Sequence, residues 1–377
     1  MKALYIGHYR EFGGWSDAAI GHMLAMDTVG IDVVARNIPL TQSPRGDIPK
    51  KIERFEGKSL ENCDVCIQHV LPHHLVGTSG FKKNIALLES ESLSIKDNAW
   101  FNYLQQMDEV WVPNSDLQNS LIRDGLFKDS KRIKTVPHTC DLRKYKTPAK
   151  PVSIEGLDDK FKFYYIGDMN DRKNLRSLVK CFHSEFDRSE PVGLVLKLWK
   201  FGHSPQQVRD LAVNMCNQVK QELRMYQSIE SYHTESIISE QIPEEGIRAL
   251  HQYCDCFACP SHGEAWSIPS FDAMCYGKTP ICSDFGGPRD FIGTDLNLNR
   301  GTLVKGSFDI CDCSDSPFPT LFTGREQWFD PSEGGIKSAM RYYYEQRDNI
   351  NRQVGIESAE RFSYESVGNL MKGYLGG

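Results

Sequence analysis

No run of apolar residues in this chain approaches the roughly 20 needed to cross a bilayer as a helix. The opening MKALYIGHYREFGG has only a four-residue apolar stretch after Lys2, too short for the core of a secretion signal. A cytoplasmic protein is expected, with peripheral attachment to a membrane left open. Charge of one sign is also lacking. The 44 Lys and Arg against 50 Asp and Glu give a net charge of −6, which offers no global attraction to nucleic acid or anionic lipid. The dinucleotide fingerprint GxGxxG does not occur, which counts against a nicotinamide-dependent oxidoreductase. No two aspartates stand two positions apart, so the short acidic pair that could hold a divalent metal is missing and metal-independent chemistry is expected.

Cysteine is not scarce, at 12 residues, but in the expected compartment these are reduced core residues or ligands and not a disulfide framework. Cys63 with Cys66, and Cys254, Cys256 and Cys259 near His262, are the groups that could suggest a metal. CDCFACPS reads equally as a buried strand in which cysteine serves as a small hydrophobe, and no second CxxC pair stands at zinc-site spacing.

At 377 residues the chain exceeds the size of a single core, and its pattern repeats. KALYIG, IDVVARNI, DVCIQHV, NIALLES, EVWVPN and IKTVPH are short apolar runs separated by helical or loop-like segments. After KTPAKPVSIEGLDDK the series restarts with FKFYYIG, GLVLKLWK, ESIISE, CFACPS, TPICSD and GTLVKG. Such alternation predicts two α/β, Rossmann-like doubly wound domains, 1–150 and 151–359, facing a cleft at the carboxyl ends of their strands. Ligands of such sheets bind there.

The densest chemistry lies in HGEAWSIPSFDAMCYGKTPICSDFGG, His262 to Gly287. Pro269 fits the first turn of a helix, Ser267 a cap, and Gly277 the stop, while Ile268, Phe271 and Met274 share one face. The amino end, with Ser267, Ile268 and Pro269, suits an anion such as phosphate. Glu264 enters the helix and Asp272 sits one turn inside it, so both carboxylates can meet one ligand, as acceptors for the neighbouring hydroxyls of a ribose or hexose. Two solvated acids flanking a structural helix remain the alternative. In IGDMNDRKNLRSLVKCF, Arg172 and Lys173 arrive where a loop meets a helix, positioned to neutralise a diphosphate or to form an exposed basic turn. Gly13 and Gly14 allow close backbone approach to a ligand. His69 ends a strand, where it could polarise an acceptor hydroxyl or serve as a structural histidine; His73 and His74 follow. The basic run from Lys128 to Lys150 could meet a phosphate-bearing acceptor or be solvated surface.

Together these segments resemble the GT-B glycosyltransferases of the GT4 type, retaining enzymes that use a nucleoside-diphosphate sugar. GEAWSIPSFDAMCYGKTPICSDFGG is similar to the family's donor motif of two acids eight positions apart, with Asp272 where the family usually has glutamate and Ser267 where it has glycine. VPHTCDLRKY looks like its interdomain segment, and LLESESLSIKDNAWFNYLQQMDEVWVPNS, with acids from Glu89 to Glu91, like one of its subgroups. The resemblance implies that Glu264 contacts the donor sugar, Asp272 the ribose, and Arg172 with Lys173 the diphosphate. It also implies a terminal helix, about 360–377, that returns to the first domain. No cofactor is implied beyond the donor, UDP- or GDP-linked. The acceptor stays open among saccharide, lipid, small molecule, protein and modified nucleic acid. A non-catalytic nucleotide-sugar binder on the same fold is the other reading, as is transfer to a modified DNA base.

Overall fold

The structure is a computed structural model and describes residues 1–40, 48–293, 300–312 and 322–376. By internal contacts the chain divides into two compact units. One comprises Met1–Leu142, Thr320–Glu326 and Ala359–Gly377; the other Arg143–Pro319 and Gln327–Ser358. Residues 143–150, placed before the boundary by composition, therefore group with the second unit.

The first unit is built on six parallel strands: β1 Lys2–Gly7, β2 Asp32–Asn37, β3 Val65–His69, β4 Lys83–Leu87, β5 Glu109–Val112 and β6 Ile133–Thr135. Their order is β2-β1-β3-β4-β5-β6. β3 and β5 are buried at every position, as expected of strands covered on both faces. The Gly14–Thr28 helix starts beyond Gly13, whose φ of 115° favours glycine. The terminal Tyr364–Tyr374 helix lies against that first helix. A Cβ on Gly368 would meet the Ala25 carbonyl oxygen at 2.3 Å, so only glycine allows this approach. Val367 and Met371 join the core of the same unit, and the Cys140 amide donates to Phe362 O at 2.8 Å.

The second unit repeats the design with β7 Phe161–Asp168, β8 Val192–Trp199, β9 Glu235–Ile238, β10 Cys256–Cys259, β11 Ile281–Ser283 and β12 Thr302–Val304. Their order is β12-β11-β10-β7-β8-β9, again with parallel pairings. All twelve expected strands are present. Cys254, Cys256 and Cys259 sit in this core as small buried groups, with burial pushing the Cys254 and Cys259 thiols up to about 12.

The sequence pattern did not foresee an antiparallel hairpin, β13 Gly306–Ile310 with β14 Gln327–Pro331. β13 is exposed along its whole length, and its alternation rests on Phe308 and Ile310 alone, too few apolar positions to set it apart from the run GTLVKG before it.

Candidate functional site

In each sheet the chain winds outward from one pair of adjacent strands, and the loops leaving that pair open a crevice. In the second unit the pair is β7 and β10. Arg172 and Lys173 follow β7, and Glu264 follows β10.

Short-range hydrogen bonds shape both loops. The Asn170 side chain accepts from the Lys173 amide at 3.1 Å and caps a single turn, Asp171–Lys173. Asn174 then adopts a left-handed φ of 52° and donates through Nδ2 to Pro260 O at 3.0 Å. Arg172 O accepts from the His262 amide at 2.8 Å, and Arg172 Nη1 donates to Gly263 O at 2.6 Å. The loop after β7 is thus laced to the loop after β10.

Within this lacing Glu264 is 8% exposed, with Oε1 2.7 Å from Lys173 Nζ and Oε2 3.7 Å from Arg172 Nη1. Burial alone would raise its carboxyl; the Lys173 and Arg172 cations outweigh that and hold it below the usual range. Ser267 (φ 68°, ψ 68°) turns the chain into the Ile268–Cys275 helix, so the loop's last residue is left-handed. Its hydroxyl pairs with Ser270 Oγ at 2.7 Å and caps no backbone amide, which corrects its expected capping role. Ile268 and Pro269 are partly exposed at the helix start.

Two glycines that sequence reasoning passed over support this loop. Gly286 has φ 74°, and a Cβ there would meet Glu264 O at 2.3 Å; a Cβ on Gly287 would meet Trp266 Cα at 2.4 Å. The Gly287 amide donates to Glu264 O at 3.0 Å. The signal was the Gly-Gly pair right after β11. Asp168, at the end of β7, was also missed; burial raises its carboxyl, and Asn170 Nδ2 donates to it at 2.8 Å. The hairpin reaches the same place. The His262 ring stacks on Trp328 at 4.4 Å, and a cavity of about 570 Å³ opens beside Asn174, His262, Ser307 and Asp330.

Asp272, expected near a ribose, is 5% exposed and has both oxygens engaged. Lys144 Nζ lies 2.6 Å from Oδ2, and Tyr145 donates to Oδ1 at 2.7 Å. Part of the basic run is engaged in the same way, while Lys128, Lys131, Arg143, Lys146 and Lys150 are exposed. Lys134 pairs with Glu109 at 2.9 Å, and Arg132 covers the Phe127 ring and donates to Asp108 O.

In the first unit the pair of origin is β1 and β3, with Gly7 in register with His69. His69 is fully buried. Its Nδ1 shares a 2.9 Å hydrogen bond with Tyr5 OH, and its Nε2 lies 3.4 Å from Glu89 Oε1. His138 Nε2 donates to the same Glu89 oxygen at 2.8 Å. Burial would raise the Glu89 carboxyl, yet His138 and His69 hold it far below the usual range. Trp15 Nε1 donates to His69 O at 3.3 Å, just inside the helix begun by Gly13 and Gly14. His73 and His74 form a single turn with their rings 4.2 Å apart. The structure thus gathers Arg172, Lys173, Glu264, Ser267, Ile268 and Pro269 around one crevice of the second unit, and Gly13, Gly14 and His69 around the corresponding crevice of the first.

Comparison with known proteins agrees with this architecture. Residues 150–314 match the family described as glycosyl transferases group 1. Among solved structures, HepE of Anabaena in complex with UDP and glucose is 13% identical, covering 100% of this chain and 99% of its own, with a TM-score of 0.64. Sucrose-phosphate synthase from Thermosynechococcus elongatus is 14% identical over 99% and 98%, with a TM-score of 0.64. The lipopolysaccharide outer core galactosyltransferase WaaB, in its apo form, is 13% identical over 100% and 99%, with a TM-score of 0.61. No curated protein matches the chain by sequence. The fold is that of the GT-B glycosyltransferases, two Rossmann-like domains, and the segment that matches group 1 glycosyl transferases falls on the unit that carries Arg172, Lys173 and Glu264.

Proposed function

We propose that the protein transfers a sugar from a nucleoside-diphosphate sugar to an acceptor hydroxyl with retention of configuration, and that the second unit binds the donor. The observation that carries this reading is the cluster of Arg172, Lys173 and Glu264 where β7 and β10 diverge. Arg172 and Lys173 would neutralise the diphosphate together with the start of the Ile268–Cys275 helix. Glu264, ionised and fixed by Lys173, would accept hydrogen bonds from the hydroxyls of the transferable sugar.

In the reaction the C1–O bond to the diphosphate breaks as the C1–O bond to the acceptor forms on the same face. The acceptor proton passes to the departing phosphate oxygen, leaving a nucleoside diphosphate and a glycoside. This route asks for positive charge at the phosphates and not for a strong protein base, in keeping with a His69 whose ring is enclosed. The solved complex of HepE with UDP and glucose favours a UDP-linked donor, with GDP as the alternative.

The test is thermal stabilisation by UDP, GDP and their sugar conjugates, since a ligand of the native state raises the melting temperature. A shift with one nucleotide series that disappears in Arg172→Ala is expected. No shift with any member, in folded protein, would remove the donor reading.

A further inference from the structure

Asp272 sits in the segment that the proposed donor reading makes the nucleoside's side of the site, but its surroundings point elsewhere. Its carboxylate is enclosed, and each oxygen already holds a short bond from the segment 143–146: Lys144 Nζ at 2.6 Å and Tyr145 OH at 2.7 Å. Burial opposes the Lys144 charge, yet the Asp272 carboxylate raises its pKa above the ordinary value, so the pair is ionic.

The contacts continue around it. Tyr276, which caps the carboxyl end of the same helix, donates to Lys144 O at 3.3 Å and takes the Tyr145 ring edge-on at 5.0 Å. Tyr276 stacks on His251 at 5.3 Å and 21°, and His251 Nδ1 shares a 2.8 Å hydrogen bond with Tyr164 OH on β7. Segment 143–146, the site helix and the first strand of the unit thereby form one connected polar and aromatic network. A ribose diol could reach Asp272 only by displacing a charge-assisted bond from its buried carboxylate, leaving the Lys144 ammonium, 23% exposed, with the more distant Glu244 at 4.0 Å. The aspartate side chain, one methylene shorter than glutamate, sets the carboxylate back against its own helix.

We propose that Asp272 is a positioning residue that clamps segment 143–146 to the Ile268–Cys275 helix through Lys144 and Tyr145, and that it does not bind the ribose of the donor. The clamp fixes the helix start, and with it the loop carrying Glu264. The proposal rests on the donor reading for its functional half and stands on geometry for its structural half.

The experiment measures dissociation constants of UDP and GDP and of their 2′-deoxy and 3′-deoxy counterparts for the wild type, Asp272→Asn, Lys144→Met, Lys144→Arg and Tyr145→Phe. The clamp predicts that Asp272→Asn and Lys144→Met weaken ribo- and deoxynucleotides in parallel by roughly tenfold, with Lys144→Arg restoring most of the loss. A preference for the ribo form that is present in the wild type and collapses in Asp272→Asn would overturn it. If no nucleotide binds the wild type, the donor reading fails, and the clamp is judged on urea midpoints alone. The double variant Asp272→Asn/Lys144→Met should then fall no further than the worse single variant, whereas additive losses would overturn the clamp.

Discussion

The two units place polar residues at the same point of the same kind of sheet and do opposite things with them. In the first unit, Tyr5 on β1, His69 ending β3, Glu89 after β4 and His138 after β6 form a closed knot in which the carboxylate is shared by two buried rings. After β7 and β10 of the second, Glu264 is gripped by two cations whose side chains stay partly exposed, 28% for Arg172 and 15% for Lys173. Topology supplies the place in both cases. The balance of charge and exposure decides whether that place can receive a diphosphate or only hold the sheet ends together. Variants should therefore separate by unit, with only those of the second losing turnover or nucleotide affinity.

The largest expected effect is on turnover. Arg172→Ala combined with Lys173→Ala removes both cations, and a fall in kcat of about two to four orders of magnitude is expected, together with a lower urea midpoint because Glu264 is left buried without its partners. Comparable turnover in the double variant would place the transfer chemistry elsewhere.

In the first unit, Glu89→Ala leaves His69 and His138 facing an emptied carboxylate site. Loss of one partner of a buried pair costs about 3–5 kcal/mol, read by urea denaturation. The nucleotide affinity of the protein that remains folded should not change. A large loss of affinity at full stability would mean that the knot takes part in the reaction and would erase the contrast.

Gly287→Ala sharpens the comparison from the other side, because a Cβ there runs into Trp266 Cα and into Ala265 O at 2.7 Å. The site loop has to shift. A stability cost of about 1–3 kcal/mol is expected together with weaker nucleotide binding, whereas the same exchange at Gly30, which has open space around it but φ 82°, should lower stability alone. Equal effects of the two on binding would sink the assignment of Gly287 as a support of the loop.

Much of this was legible in the sequence for reasons that can be named. The twelve sheet strands announce themselves because buried parallel strands are short, continuous apolar runs, and the β7–loop–helix and β10–loop–helix junctions can be seen because Arg172, Lys173, Glu264 and Pro269 sit at their edges. What escaped depends on distance along the chain. Glu89 meets His138 across 49 positions and Asp272 meets Lys144 across 128, and no local pattern encodes such pairings. The β13–β14 hairpin escaped because its exposed first strand has only Phe308 and Ile310 as apolar positions, too few to stand apart from the run before it. Ser267 misled because a serine before a helix normally caps it, while here its backbone is left-handed and its hydroxyl turns to Ser270.

The smallest effect, and the one that compares the units most directly, is the pH dependence of stability. Each unit has a buried histidine held far below its ordinary value: His22, pushed down to about 3 by burial and by the neighbouring His138 and His69, and His251, pushed down to about 3 by burial that the nearby Asp272 only partly offsets. Once unfolded, both rings return to an ordinary pKa of about 6.5. Between that value and the folded one, the unfolded chain binds a proton that the native protein refuses, so their contribution is complete above about pH 6.5 and is lost as the pH falls toward 3. Each ring can cost up to about 1.4 kcal/mol per pH unit in that window. Urea midpoints should therefore drop between pH 7 and pH 5 in the wild type. Whichever of His22→Gln and His251→Gln flattens the drop identifies the unit whose unfolding sets the midpoint. A midpoint that stays constant over this range would mean that neither ring is held neutral, and the burial assigned to both rings would be wrong.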